Sequence, residues 1–532
     1  MMVRSERLLR NPVFLLAAIA FLTALVVQSG ELGSSDTSHR LQTAHSFWTS
    51  QPPVFADEYP GFGIRGRGGR IYAWYGIGQS LLMLPADVVG TYLEDLPVFA
   101  EYGGTDPTVR SIVVSYSTSI SVCVLTCLVC FRFLGLLDFT VNQRIAGVLA
   151  LLFGTTFLHY TQNLMENNYI ALLTLSGLTF QYEWLRSGKR WALWAGATAL
   201  GANLLTRLTT GMDLLAVCLF LLLAAWFSGM RGRDLGARAV DFARTALPIY
   251  GVFLAIDRAY QYVRFGSLFN TYTQIFGEQW KNSNPALPAA FPFETPFREG
   301  FFGALFTPEK SIFLFDPLLV LAVIMVLFAW RRFRPEIRAY FVAFGTMLIA
   351  YVSFYAKYTV WSGDTAWGDR YVATAAQFAA LLAVPLLLRH RAELGRLVWG
   401  VGLAILFVSV AIQLGSVAFW CPLERYQMET LSPPNFVVWL RMKNIVAFSL
   451  GKMDAWGLTN ESMREDDWDY VHVTTWNFLP FVLKRIGVAP AWVVEFVRTI
   501  WLGALAALVA LLGLVSRLTA NEPFDPAEIS FR

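Results

Sequence analysis

The stretch RSIVVSYSTSISVCVLTCLVCFRFLG, residues 110–135, decides the class of fold. It carries no acidic residue, and its two basic residues, Arg110 and Arg132, stand near its ends. The hydrocarbon core of a bilayer is about 30 Å thick, which a helix of roughly 20 apolar residues can cross. The stretch therefore predicts a transmembrane helix.

The rest of the chain repeats this pattern. Of its 532 residues 55% are hydrophobic and 15% charged, whereas soluble domains carry about 25% charged residues. We therefore expect an all-α polytopic membrane protein with about twelve spans. The predicted spans are 12–29, 110–135, 144–161, 168–185, 191–208, 211–229, 243–263, 311–330, 338–356, 371–388, 397–418 and 494–516.

Composition also excludes several classes of function. The 42 Lys and Arg against 38 Asp and Glu leave a net charge of +4, too little for the basic surface of a nucleic-acid partner. The five Cys predict no disulfide framework, since Cys123, Cys127 and Cys130 follow one helix face. The His residues are scattered without zinc spacing. The GxGxxG match at 61–66 lacks the flanking strand and helix of a dinucleotide site.

Basic residues indicate the orientation. The short connections 186–190, 231–238, 331–338 and 389–396 are rich in Lys and Arg, and all fall on the same side of the predicted membrane. That side is expected to be cytoplasmic, as are both termini, in a bacterial inner membrane.

The long segments would then lie outside the cytoplasm. These are the first outer loop 30–109, the second outer loop 264–310 and the C-terminal loop region 419–493; 494–532 forms the last span and a cytoplasmic tail. Residues 71–96 predict an amphipathic helix, and the prolines of 281–298 predict an irregular loop. Asn460 opens a glycosylation sequon, which arises often by chance.

Ionisable residues gather at the predicted outer boundary of the spans. Charges within a membrane are costly and mark functional sites, although snorkelling and ion pairing explain many of them. As a group they predict a polar cavity. They are Arg207, Asp213, Asp257, Arg258, Arg264, Lys310, Asp316, Lys357, Asp364, Asp369 and Arg370.

Asp36 lies a few residues beyond the first span, near membrane level. A carboxylate held there is a candidate general base for a hydroxyl group. The alternative is a helix N-cap, because Ser35, Asp36 and Ser38 precede a helical pattern that includes Leu41 and His45.

Five motifs, taken in order, resemble the membrane-embedded GT-C glycosyltransferases, in particular bacterial relatives of the protein mannosyltransferases and of the lipid A aminoarabinose transferase. The similarity covers residues 1 to about 390. The motifs are Ser35-Asp-Thr-Ser-His-Arg40, Gly69 to Pro85, Gln162 to Asn168, Phe306-Thr-Pro-Glu-Lys310 with Phe315-Asp-Pro317, and Trp361 to Tyr371.

The resemblance implies an inverting transfer of one sugar from a polyprenyl-phosphate donor to a hydroxyl acceptor at the extracytoplasmic face. Residues 1–418 would form the catalytic module, with Asp36 as general base. Arg370, Lys310, Arg207 and Arg264 would bind the donor phosphate. Tyr75, Trp361, Trp367 and Asp369, with Trp74, would line the sugar site or lipid groove.

Many relatives have two adjacent acids in the first loop, whereas Thr37 follows Asp36 here. A second acid would have to be Asp57, Glu58 or Glu166. No cofactor is predicted beyond the lipid carrier, although Asp36, Asp57 and Glu58 would make an oxygen-ligand site for a divalent ion if they converged. The acceptor stays open: a glycan, a lipid or a protein.

Two other functions compete with this one. A secondary transporter also has about twelve spans, but its polar residues lie near the bilayer midplane. An O-antigen ligase or polymerase would use whole lipid-linked oligosaccharides.

Overall fold

In the part of the chain that the structure describes, the regular structure is helical apart from one small hairpin. The computed structural model describes residues 11–521 except 60, 101, 103–106, 422, 432–435, 453–474 and 488. The helices up to the second outer loop are α1 Pro12–Val27, α2 Ser35–His45, α3 Gly78–Glu94, α4 Val109–Leu136, α5 Val141–Gly154, α6 Phe157–Gln162, α7 Asn167–Ser187, α8 Arg190–Leu204, α9 Gly211–Phe227, α10 Gly232–Phe265 and α11 Tyr272–Ser283.

The remaining helices are α12 Phe297–Phe306, α13 Ile312–Phe315, α14 Leu318–Ala329, α15 Pro335–Tyr355, α16 Ala373–Ala380, α17 Ala383–Arg389, α18 Gly395–Ser416, α19 Leu423–Leu431, α20 Val437–Ser449, α21 Leu479–Ile486 and α22 Ala491–Asn521. The hairpin joins β1 Ile64–Arg65 to β2 Ile71–Tyr72, antiparallel, with Ile64 opposite Tyr72.

Six of the described helices are long and apolar enough to cross a membrane, so the chain is an integral membrane protein. They are α4, α9, α10, α15, α18 and α22. Helices also occupy the other six predicted spans, but these are shorter, broken or less apolar. The count of twelve spans therefore stays a prediction.

Three predicted spans are not continuous helices, which corrects 144–161, 311–330 and 371–388. The first two breaks face each other: Asp316, between α13 and α14, accepts hydrogen bonds from the Thr156 backbone nitrogen at 2.7 Å and the Thr156 hydroxyl at 2.9 Å. Pro317 has no N–H to continue a helix. The polar contact satisfies backbone groups that the break leaves open.

The helical bundle buries one large apolar core. Helix α4 packs against α1, α3 and α7, while α9 packs on α15 and α8 on both α7 and α10. Phe131, Phe220, Tyr340 and Phe344 are fully buried within it. The three cysteines Cys123, Cys127 and Cys130 are buried and unpaired, as a helix stripe predicts.

The loops add the features that shape the site. The amphipathic stretch 71–96 begins as strand β2 and becomes helix α3 from Gly78, while 284–296 is an irregular loop between α11 and α12. Within the C-terminal loop region, the buried Arg441 of α20 forms an ion pair with Glu424 of α19 at 2.6 Å. Asn460 lies outside the described residues.

Candidate active site

Helix α2 holds Asp36 in its first turn without using the carboxylate as a cap. The N-cap is Ser34, whose hydroxyl accepts a hydrogen bond from the Thr37 backbone nitrogen at 3.3 Å. The Thr37 hydroxyl in turn donates to the Leu164 carbonyl at 2.9 Å, which fixes α2 against the loop before α7. The Asp36 carboxylate is therefore available for other partners.

Asp36 contacts a cation and a phenol. Arg370 donates from Nη1 to Asp36 Oδ2 at 2.6 Å, and the Tyr75 hydroxyl donates to Oδ1. Burial alone would raise the pKa of Asp36, but the charges of Arg370 and Arg40 and the Tyr75 hydrogen bond hold it below the usual value. Asp36 is therefore ionised at neutral pH.

Next to this pair, Glu166 is clamped by two guanidinium groups. Its Oε2 lies 2.6 Å from Arg40 Nη2, and its Oε1 accepts from Arg207 Nη2. Glu166 is buried, yet Arg207 and Arg40 overcome the effect of burial and lower its pKa. Arg40 also lies over the Tyr75 ring, with its Cζ 3.9 Å from the ring centroid.

The loop before α16 presents Arg370. Lys310 Nζ donates to three carbonyls of this loop: Asp364 at 2.5 Å, Ala366 at 2.8 Å and Gly368 at 3.3 Å. Gly363 has a φ of 76°, and a Cβ there would lie 2.8 Å from Arg370 Cγ. A side chain at position 363 would therefore push Arg370 out of place.

Two cavities meet at the Asp36–Arg370 pair. The serine cavity, about 390 Å³, is lined by Glu31, Leu32, Gly33, Ser34, Ser35, Asp36, Ser38, Asn163, Met165, Gly363, Asp364, Thr365, Arg370, Trp420 and Cys421. The arginine cavity, about 440 Å³, is lined by Asp36, Arg40, Gly61, Trp74, Tyr75, Gly76, Glu166, Thr206, Arg207, Thr209, Tyr272, Thr273, Phe276, Trp280, Phe293, Phe354, Tyr355, Tyr358, Val360, Asp364, Arg370 and Tyr371. Asp36, Asp364 and Arg370 border both, so a carboxylate and a guanidinium stand where two bound molecules would meet.

The structure thus brings together in one cavity wall several residues singled out in the sequence: Asp36, Tyr75, Glu166, Arg207, Asp364 and Arg370. Trp74 joins them in the wall of the arginine cavity, where its ring lies 5.1 Å from that of Phe276.

Other predicted cations lie outside both cavities. Arg264 donates from Nη1 to the carbonyls of Ala73 at 2.7 Å and Tyr75 at 2.9 Å, so it supports the Tyr75 loop from behind. Lys310 is buried beneath the Arg370 loop, and burial lowers its pKa to about 8. Both position residues of the site, and neither lines the serine cavity or the arginine cavity.

The remaining predicted site residues are also placed away from the cavities. Asp369 is buried at the start of α16, where its Oδ1 accepts from the Tyr371 backbone nitrogen at 3.0 Å. Trp367 is buried against Phe315, with ring centroids 4.9 Å apart. Trp361 packs on Gly303 of α12.

The acids of the first outer loop do not converge on Asp36. Glu58 Oε1 lies 3.0 Å from His39 Nε2, within hydrogen-bond distance, and Asp57 is exposed. Within the part of the chain that the structure describes, no group of three or more His, Cys, Asp or Glu side chains is arranged to hold a metal ion.

Arg40, Tyr272 and Tyr371 line the arginine cavity but were not predicted as site residues, although Arg40 and Tyr371 end two of the quoted motifs. For Arg40 a signal was present, because it stands four residues after Asp36 and so shares its helix face. Tyr371 packs in parallel on Tyr355, with ring centroids 4.5 Å apart, and Arg370 Nη2 donates to its hydroxyl at 3.3 Å. Tyr272 reaches the cavity through the fold of the second outer loop, which no local pattern predicts.

The fold and site define an integral membrane protein with a charged, two-sided cavity. Neither a family model nor a curated protein sequence matches the chain. Among solved structures it is similar to the archaeal oligosaccharyltransferase AglB from Archaeoglobus fulgidus, in complex with an inhibitory peptide and a dolichol-phosphate, at 14% identity and a TM-score of 0.46. The similarity covers 75% of this chain and 55% of AglB, so the chain spans about half of that protein.

It is also similar to ArnT from Cupriavidus metallidurans bound to undecaprenyl phosphate, at 14% identity and a TM-score of 0.40, over 95% of this chain and 76% of ArnT.

Proposed function

We propose that this protein is an inverting glycosyltransferase that moves a sugar from a polyprenyl-phosphate donor to a hydroxyl acceptor. The observation that carries the proposal is the Asp36–Arg370 pair, with Nη1 and Oδ2 2.6 Å apart, in the wall shared by two cavities. A base must reach the acceptor and a cation must reach the leaving group, and a shared wall is where both are reached at once.

The arginine cavity suits the donor. Its lining contains the guanidinium groups of Arg40, Arg207 and Arg370, which match phosphate oxygens in geometry and charge. Its far side is aromatic and includes Phe354, which belongs to the membrane-crossing helix α15 and is 46% exposed. A polyprenyl chain could leave the cavity over this residue into the lipid.

The serine cavity suits the acceptor. It has three serines, Asn163 and the carboxylates of Glu31, Asp36 and Asp364, against one guanidinium. Hydroxyl and amide groups bind sugar hydroxyls, whereas a phosphate would meet one guanidinium here against three in the arginine cavity. Asn163 Oδ1 is buried without a hydrogen-bond partner among the described residues, as expected for a group that binds an acceptor.

The chemical step follows from this arrangement. The acceptor hydroxyl gives its proton to Asp36 while its oxygen forms a bond to the anomeric carbon. The bond from that carbon to the phosphate oxygen breaks on the opposite side, and the electron pair remains on the phosphate. Attack opposite the leaving group inverts the anomeric configuration. Arg370 and Arg207 stabilise the phosphate as its charge develops.

Transfer from a defined donor tests the proposal. The purified protein in nanodiscs would be given undecaprenyl-phosphate sugars of several kinds together with oligosaccharide, lipid and peptide acceptors, and products would be identified by mass spectrometry. A product of inverted configuration that forms with the wild type but not with Asp36→Asn supports the function. If the wild type consumed none of the donors, the proposed function would be refuted.

The same proposal includes the membrane topology and the domains. We infer that both termini are cytoplasmic, that residues 1–418 form the catalytic module and that the site opens outside the cytoplasm, because the basic connections share one side. A cysteine at Gly69, where an added Cβ would meet nothing within 4 Å, should react with an impermeant reagent added outside spheroplasts. Labelling only from the cytoplasmic side would contradict this orientation.

A further inference from the structure

We propose that protonation of Asp36 during the reaction breaks its ion pair with Arg370, and that the Arg370 guanidinium then pairs with the leaving phosphate. The inference rests on the proposed function and assigns Arg370 a role that changes during the reaction. Before transfer it neutralises the base, and after transfer it neutralises the product.

The contacts of Arg370 support such an exchange. Its Nη1 binds Asp36 at 2.6 Å, while its Nη2 makes a longer contact of 3.3 Å with the Tyr371 hydroxyl. Its Nε is buried and has no hydrogen-bond partner among the described residues. The guanidinium borders both cavities, so it needs no large movement to reach a ligand in the arginine cavity.

The charges of the arginine cavity fit the two states of the donor. Three guanidinium groups, Arg40, Arg207 and Arg370, face the carboxylates of Asp36 and Glu166, which leaves one positive charge. Asp364 adds none, because it pairs with Arg425. A phosphodiester donor carries one negative charge, so the cavity matches the substrate.

The same balance holds after the reaction. Loss of the sugar turns the phosphodiester into a monoester with a charge of about −1.5 to −2 near neutral pH. Protonation of Asp36 removes one negative charge from the cavity wall at that moment. The cavity then has two positive charges facing a phosphate with nearly two negative ones, so no bare charge is left in the buried site.

Among the described residues, Arg370 is the cation whose ion pair with Asp36 is broken by this proton. Arg40 and Arg207 are held by Glu166, which lines the arginine cavity but not the serine cavity and therefore does not meet the acceptor. The geometry thus couples the base to one particular cation.

Product binding tests the coupling. Asp36→Asn imitates the protonated base and should bind undecaprenyl phosphate in nanodiscs about tenfold more tightly than the wild type near pH 8, even though it cannot turn over. Undecaprenyl methyl phosphate, a singly charged diester, should gain less. Asp57→Asn makes the same charge change at an exposed site of the same loop and should leave the Kd unchanged.

A second comparison, made without the Arg370 guanidinium, tests whether the tighter binding depends on Arg370. In an Arg370→Gln background, the change Asp36→Asn should no longer tighten binding. Asp36→Ser repeats the measurement if Asp36→Asn does not fold. Equal affinity of wild type and Asp36→Asn, or a gain that persists without Arg370, would overturn the exchange. Since the wild type is assayed for transfer in parallel, failure of the exchange is distinguishable from failure of the proposed function.

Discussion

Arg370 and Asp36 lie 334 positions apart in the chain, and their side chains meet with Nη1 and Oδ2 at 2.6 Å. Arg370 belongs to a loop that Lys310 holds through backbone carbonyls, and Asp36 belongs to a helix capped by Ser34. Both residues line the serine cavity and the arginine cavity, so the pair stands in the wall between them.

The role of Asp36 as base predicts a large loss of rate. Asp36→Asn retains the size and a hydrogen-bond acceptor but cannot take up the proton, and we expect transfer to fall by roughly 10²- to 10⁴-fold. Initial rates of product formation measure it. Asp57→Asn, in the same loop, is the control and should transfer at the wild-type rate. A rate within a factor of about two of wild type for Asp36→Asn would exclude Asp36 as the base.

Two buried arginines should respond differently. Arg207→Gln removes a guanidinium from the arginine cavity and should weaken binding of undecaprenyl phosphate about tenfold or more. Arg264→Gln removes the support of the Ala73 and Tyr75 carbonyls, so it should lower the free energy of unfolding by about 1–3 kcal/mol. The folded fraction of that variant should still bind the lipid, as titration and thermal unfolding can show. Equal loss of affinity in both would contradict the distinction.

Gly363→Ala should disturb Arg370. The new Cβ would lie 2.8 Å from Arg370 Cγ at a residue with φ of 76°, and we expect a cost of about 1–3 kcal/mol together with slower transfer. Gly345→Ala is the matched control, because a Cβ there has open space. Thermal unfolding and transfer assays compare the two. Unchanged stability and activity of Gly363→Ala would show that the Arg370 loop adjusts freely.

Asp369→Asn should stabilise the protein at high pH. Burial raises the pKa of Asp369 to about 7, above its value in the unfolded chain. At a pH between these two pKa values, the folded state keeps a proton that the unfolded state has lost. The carboxyl therefore contributes stability at low pH that is lost as the pH rises toward 7.

Asn keeps the acceptor for the Tyr371 nitrogen but carries no charge. The Tm of Asp369→Asn should exceed that of the wild type at about pH 8, by roughly 1 °C for each kcal/mol gained in a chain of this length, and the difference should shrink toward about pH 4. The Tm of both proteins across this range measures it, and a constant difference would contradict the pKa shift.

Filling one cavity should impair one substrate. Ser38 is exposed at the serine cavity, so Ser38→Trp should raise the KM for the acceptor and leave the Kd of undecaprenyl phosphate unchanged. Thr209→Trp, in the arginine cavity, should weaken binding of the lipid phosphate instead. Steady-state kinetics and lipid titration separate the two effects. The reverse pattern would mean that the donor binds in the serine cavity and the acceptor in the arginine cavity.

Local patterns predicted much of the fold, because the length of an apolar run and the charges at its ends are properties of a single segment of the chain. Helices occupy every stretch proposed as a span, and 78–94 forms the helix expected in 71–96. The breaks near Thr156 and Asp316 were not predicted, because a polar contact between two distant segments stabilises both. Six helices are long and apolar enough to cross, and the other predicted spans are shorter, broken or less apolar.

The sequence by itself determined the membrane class of this protein and pointed to Arg207 and Arg370, since charges stand out in an apolar chain. Asp36 followed from its place just beyond the first predicted span, and Glu166 was one of three acids that the family resemblance suggested. Only the tertiary structure decided which of them share a cavity, that Arg40 belongs with them, and that Arg264 and Lys310 bind backbone carbonyls instead. The physical reason is that a charge in a membrane protein must be neutralised or hydrogen-bonded wherever it is buried. Its presence can therefore be recognised from the sequence, whereas its partner depends on which distant segments the fold brings together.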